Sequence, residues 1–353
     1  MKEKAFRNIL IGLEVGSITV FGHLLYRVKK ENDKFKLNYN DFFSLETVKK
    51  QSSSNFNPNF SNIKINSIKS IVKNFYDTLS HYEEIDLTIF KNNIKSLKFK
   101  GIKTYKEENI SASDALYDYY DNIIYYGLKI NNRVMSHELL HMSSTIYDEN
   151  ESNIRYYGFA QNKNGNSIGV GLTEAYTELL AMRFFNDENS RKKTCDCYVT
   201  EVNFVKYIEK IVGREKMMKL YFKADLKGLV EELCKYNDIE NVMEFIRNID
   251  SINLNTLCGN KCFSNSEYEQ IITSSVKFVV TSYANKLESK LYTNELNMEQ
   301  LYNEIVEFVN SLNNIKYEKY GKKHSMKLLD KKELSKILIE IFGKQNVNKK
   351  DLC

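Results

Sequence analysis

Apolar residues recur at helical spacing on either side of a polar, glycine-bearing stretch, and this repetition organises the chain. Met135, Leu139, Met142 and Ile146 fall at i, i+4, i+7 and i+11, one stripe of a helix predicted over 132–146. Leu172, Ala175, Tyr176 and Leu179 form a second stripe, on a helix predicted over 172–185. Between them DENESNIRYYGFAQNKNGNSIGVG has no such period and is read as a loop. On the first helix the side opposite the stripe carries His137 and His141, and on the second it carries Glu174 and Glu178.

Upstream, Ile68, Ile71, Val72, Phe75 and Leu79 predict a helix over 65–81. The alternation of Leu97, Phe99 and Ile102 with lysines predicts a strand. ALYDYYDNIIYYG, rich in Tyr and Ile around Asp121-Asn122, predicts two strands of a small sheet. Downstream, amphipathic segments near 200–212, 215–236, 266–290, 297–313 and 327–342 predict an all-helical C-terminal half. The expected class is α+β: a zincin-like catalytic domain over 63–190, its small twisted sheet packed on the first helix, then a helical domain over 191–353.

The N-terminal ILIGLEVGSITVFGHLLY, residues 9–26, is long enough to span a bilayer and is flanked by Lys and Arg. Glu14 and His23 interrupt it. An uncleaved membrane anchor over 1–28 is favoured here over a buried or amphipathic helix and over a cytoplasmic protein. A removable signal peptide ranks below these, because no small-residue cleavage site follows. A Ser- and Asn-rich linker, 29–62, contains the single proline, Pro58.

Composition narrows the functional classes. The chain has 353 residues and is 42% apolar, which suits a globular protein. Its net charge of +5 is too dilute to serve as a nucleic-acid footprint. Cys195-x-Cys197 and Cys258-x-x-x-Cys262 lack the spacing of a zinc ribbon or finger, so free or disulfide-bonded cysteines are expected, with Cys234 and Cys353 completing the six.

His137-Glu138-x-x-His141 carries the chemistry. Histidines four apart stack on one helical face, where both imidazoles reach one metal ion. A catalytic zinc takes three protein ligands and leaves a fourth position open, so another ligand is needed. The remaining histidines, His23, His81 and His324, sit in no metal-like pattern. Glu174 is the expected third ligand. Glu178, one turn on, is placed to accept a hydrogen bond from a ligand histidine and fix its tautomer. Glu138, beside a ligand, is expected to act as the general base on the water that the metal activates. Tyr157, or its neighbour Tyr156, is the expected phenol donor to the oxyanion.

These motifs resemble the gluzincin clan of zinc metallopeptidases, whose thermolysin-like members follow H-E-x-x-H with a second helix bearing a glutamate ligand and an acidic residue four positions on. The matching motif here is T-E-A-Y-T-E. The resemblance, over about 110–186, implies Zn2+ held by His137, His141 and Glu174, with Glu138 as base and a peptide or protein as substrate. Glu178 stands where such enzymes commonly have Asp, and no histidine matches the thermolysin transition-state donor. YYDNIIYYG resembles the edge strand that pairs with extended substrate. Two other readings remain: a zinc hydrolase of a non-peptide amide or ester, and a membrane-attached binding protein with a structural metal.

Overall fold

The computed structural model describes residues 58, 60, 61, 63–101, 115–127, 132–147, 154–163, 166–185, 198–257, 262–293, 295–319 and 322–342. The candidate anchor at 9–26 and Cys195, Cys197, Cys258 and Cys353 lie outside them. Among the described residues no helix is long and apolar enough to cross a membrane.

The chain is α+β, mostly helical. Helix α1 (Asn66–Leu79) buries Ile68, Val72, Phe75 and Leu79, the stripe its periodicity predicts. The short α2 (Thr88–Asn93) leads into β1 (Lys98–Gly101), followed by β2 (Ala115–Asp118) and β3 (Ile123–Tyr126). The order is β1-β3-β2: β1 runs parallel to β3, with Phe99 opposite Ile124, and β2 runs antiparallel, with Tyr117 opposite Ile124. Asn122, in the tight turn between β2 and β3, takes a left-handed φ of 51°, which Asn tolerates better than most residues. The YYDNIIYYG tract therefore forms the turn and the central strand, not the edge. The edge nearer the H-E-x-x-H motif is β2.

Helix α3 (Asn132–Ser143) carries the H-E-x-x-H motif. It stops short of the predicted 146 because the buried Asn93 side chain donates to the carbonyls of Met142 and Thr145, each at 2.8 Å, and takes up acceptors at the helix end. Asn122 in turn donates to the Asn93 carbonyl at 2.8 Å, so one buried asparagine ties the β2–β3 turn to the end of α3. Ile146 is still buried, but on a strand.

The predicted loop is largely strand. β4 (Thr145–Tyr147), β5 (Ile154–Tyr157), β6 (Ala160–Lys163) and β7 (Asn166–Ile168) make an antiparallel meander in chain order. Its strands escape the alternation test because buried positions hold amides: Gln161 and Asn162 are both inside, and Asn162 donates to Ser167 at 2.7 Å.

Helix α4 (Val170–Phe184) follows, then α5 (Val199–Val212), α6 (Arg214–Tyr221), α7 (Leu226–Leu233), α8 (Ile239–Leu257), α9 (Asn265–Tyr292) and α10 (Met298–Asn313). The helix predicted over 215–236 is two helices. Ala224 has φ 51°, and Asp225 caps α7 by accepting from the Gly228 amide at 2.7 Å. Helix α8 was not anticipated, although Val242, Phe245, Ile246, Ile249 and Ile252 give it a legible stripe. Nor is the C-terminal half all-helical: β8 (Ile315–Lys319) and β9 (Lys322–Met326) form a hairpin before α11 (Lys331–Phe342).

Helix α4 is the hub, packed against α3, α5 and α8. Leu172, Ala175, Tyr176, Leu180 and Ala181 are buried on it. They belong to one apolar cluster that runs from Ile63 to Ile337, so the helical C-terminal segment covers α4 directly. Each fully buried large side chain contributes about 1.5–3 kcal/mol.

Candidate metal centre

Neither motif helix is amphipathic in the ordinary sense. Helix α3 buries Arg133, Ser136, Glu138 and His141 as well as its apolar stripe. The face opposite that stripe is walled in by α4 and β2. Buried polar groups must find partners or ligands, and here they find one another.

His137 and His141 bring their Nε2 atoms to 3.1 Å. Glu174 reaches across from α4, with Oε2 3.5 Å from the His137 Nε2 and Oε1 3.5 Å from the His141 Nε2. These three residues form a candidate metal-holding group. Glu174 meets the two imidazoles with different oxygens, so its carboxylate spans the pair, and one donor atom from each of the three residues lies within 4.8 Å of the others. Two imidazole lone pairs facing each other this closely also require a proton or a cation between them. The donor set of two imidazoles and one carboxylate fits a divalent ion and leaves a fourth corner free.

Glu178 lies where the sequence predicts. Its Oε2 is 3.2 Å from the His137 Nδ1. An Nδ1–H donated there leaves the Nε2 lone pair for the centre. Sequence reasoning missed Arg133, one turn before His137, which forms an ion pair with Glu178 in the interior. The i, i+4 relation of Arg133 to His137 was a readable signal, but only the fold shows that Glu178 lies between them.

Glu138 points to the other wall. Its Oε2 accepts the backbone N–H of Tyr117, on β2, at 2.7 Å. Burial raises its pKa, as does Glu174, against the lowering effects of His137, His141 and the Tyr117 amide. For Glu174 burial again favours the neutral acid, but the two histidines outweigh it and hold the carboxyl well below the usual range. For His141 burial disfavours the charged ring, yet Glu174 and Glu138 raise its pKa.

The tyrosines divide. Tyr156 packs with Ile89, Ile146 and Ala224, in a small cluster separate from the main core. Tyr157 stacks on Tyr119 with centroids 4.8 Å apart, and burial raises its pKa well above the ordinary phenol range. Tyr198, at the N-terminus of α5, was not anticipated; its phenol feels the charges of Glu174 and Glu138. Burial, followed by the charges of Glu174 and Glu138, raises its pKa well above the ordinary phenol range. Nothing local in the sequence marks it, since it is one of 24 tyrosines and meets the centre only through the packing of α5 on α4. Glu201, one turn further along α5, is wholly buried; Thr256 donates to its Oε1 at 2.7 Å, and its Oε2 has no hydrogen-bond partner among the described residues.

Comparison with protein-family models, with curated proteins and with solved structures gives no match, so what the centre does is read from its own geometry.

Proposed function

We propose that the protein is a zinc-dependent peptidase of the gluzincin kind, with His137, His141 and Glu174 as the metal ligands and Glu138 as the general base. The observation that carries this reading is the position of Glu138. It lies beside a three-ligand group with a free corner and is hydrogen-bonded to a strand edge suited to peptide binding. A structural metal site would be closed by a fourth protein ligand and would need no adjacent carboxylate.

Zinc bound by this triad would polarise a substrate carbonyl and lower the pKa of a water molecule. The other tasks fall to the chain. Tyr117 directs its N–H off the edge of β2 toward Glu138, so its in-plane backbone groups face away from β3. By the two-residue period the same holds at Ala115. With the Tyr117 N–H taken by Glu138, an extended peptide laid along this edge pairs with the Tyr117 carbonyl and the Ala115 backbone groups and passes beside Glu138, and Leu116, 56% exposed, lies on the same strand. Glu138 takes the proton of the attacking water and passes it to the departing amine. Tyr198 is the better-placed donor to the developing oxyanion, because its phenol feels both Glu174 and Glu138, whereas Tyr157 is stacked on Tyr119. Arg133 and Glu178 hold the His137 ring in one tautomer.

Glu138→Gln keeps the size and the hydrogen-bonding shape of the residue but removes the base. It is expected to retain zinc by metal analysis and to lose peptide cleavage by about 100-fold or more in a mixed-peptide assay. Full cleavage by the variant would overturn the role of Glu138. Absence of zinc from the wild type would remove the enzymatic reading.

A further inference from the structure

The ligand Glu174 sits one turn into α4, and the start of that helix is held from outside. Gly169, at the N-cap, has a φ of 80° and no side chain with which to cap. Instead Asp250, on α8, accepts the Gly169 amide through Oδ2 at 2.9 Å and the Gly171 amide through Oδ1 at 2.8 Å, from 81 and 79 residues away. Both carboxylate oxygens are thus used on backbone donors that the helix itself cannot satisfy. The seat is tight. A Cβ at Gly169 would fall 1.9 Å from the Phe159 carbonyl oxygen, and one at Gly171 would fall 2.5 Å from that of Ile249. Thr173, next to the ligand, locks the same turn: its hydroxyl donates to the Gly169 carbonyl at 2.9 Å and accepts the Phe159 amide at 2.9 Å.

We infer that Asp250 is a positioning residue for the metal centre: by clamping the N-terminus of α4 to α8 it sets the height and rotation at which Glu174 meets His137 and His141. This rests on the metal-centre reading above and adds to it a long-range determinant on a helix that contributes no ligand. The physical basis is that a helix turn moves as a unit, so a shift at Gly169 or Gly171 carries to the carboxylate one turn on. Supporting groups around metal ligands typically change affinity by about 10- to 100-fold.

The test compares full-length wild type, Asp250→Asn and Asp250→Ala, with Asp225→Ala as a control that removes the equivalent cap of α7 away from the centre. Zinc affinity is measured by chelator competition, ligand geometry by the visible spectrum of the Co2+ form, and folding by thermal denaturation. Asp250→Ala is expected to bind zinc about 10- to 100-fold more weakly with an altered Co2+ spectrum. Asp250→Asn, which keeps one acceptor, should fall between. Asp225→Ala should lose thermal stability yet keep wild-type affinity and spectrum. Folded Asp250 variants with wild-type affinity and spectrum would overturn the inference, whereas a wild type that binds no metal overturns the centre itself. Should neither Asp250 variant fold, hydrogen exchange of the wild type decides. Zinc is expected to slow exchange of the Gly169 and Gly171 amides, and unchanged exchange rejects the coupling.

Discussion

Helices α3 and α4 present the same motif logic with different support. Each places two functional side chains four residues apart, His137 and His141 on one and Glu174 and Glu178 on the other. Helix α3 is fixed from the sheet side, through Asn93 at its C-terminus and the Tyr117 amide at Glu138. Helix α4 is fixed from the helical side, by Asp250 at its N-terminus and by α5 along its length. The centre forms where two independently supported walls meet. Imidazoles on one helix are a local pair, whereas the carboxylate that completes them depends on contacts far away in sequence.

The sharpest way to break this comparison is to remove the single proposed ligand from the α4 wall. Glu174→Ala should lower zinc affinity by more than about 100-fold, beyond what loss of a supporting group costs, with α3 and its histidines intact. Metal analysis beside circular dichroism checks both parts. On the α3 wall, Asn93→Ala leaves the Met142 and Thr145 carbonyls without their buried donor and should cost about 2–3 kcal/mol in urea unfolding. If its zinc affinity were also unchanged, the sheet side would be shown not to govern the centre. Glu178→Gln bridges the walls. It removes the charge that pairs with Arg133 and the acceptor for His137, and should weaken zinc binding by about 10-fold, read by chelator competition.

The smallest effect concerns charge on the α4 side. Burial pushes the Glu201 carboxyl up to about 7, consistent with the partnerless Oε2 of a neutral acid. Its folded pKa lies above the unfolded one, so the folded state binds the extra proton and stability falls as pH rises from about 4.5 to about 7. Glu201→Gln should lessen that fall, narrowing the loss of stability between pH 5 and pH 8 relative to wild type. Asp250, pushed up to about 7 by burial against the pull of its two amide donors, leaves part of the slope in place. Paired urea titrations at the two pH values measure the difference; parallel slopes would refute a neutral Glu201.

What the residues alone determined is what local geometry can encode. A 3.6-residue period places His137 beside His141 and Glu174 beside Glu178, so the four side chains on the two helices were legible before any fold was known, and in the fold they lie within 3.1–3.5 Å of one another in pairs. The hairpin around Asn122 was legible for the same reason, as a turn between β-rich runs. The meander was not, because its strands bury the polar Gln161 and Asn162 side by side and so show no alternation. Nor was the identity of the edge strand, since pairing order depends on which strand β1 joins across the chain. Arg133, Tyr198 and Asp250 gain their roles only because α3, α5 and α8 converge on α4, contacts that no local period records. Residue spacing along each helix placed the candidate donors, while tertiary packing decided what holds them in place, because the spacing of side chains is a property of one helix and their support is a property of several.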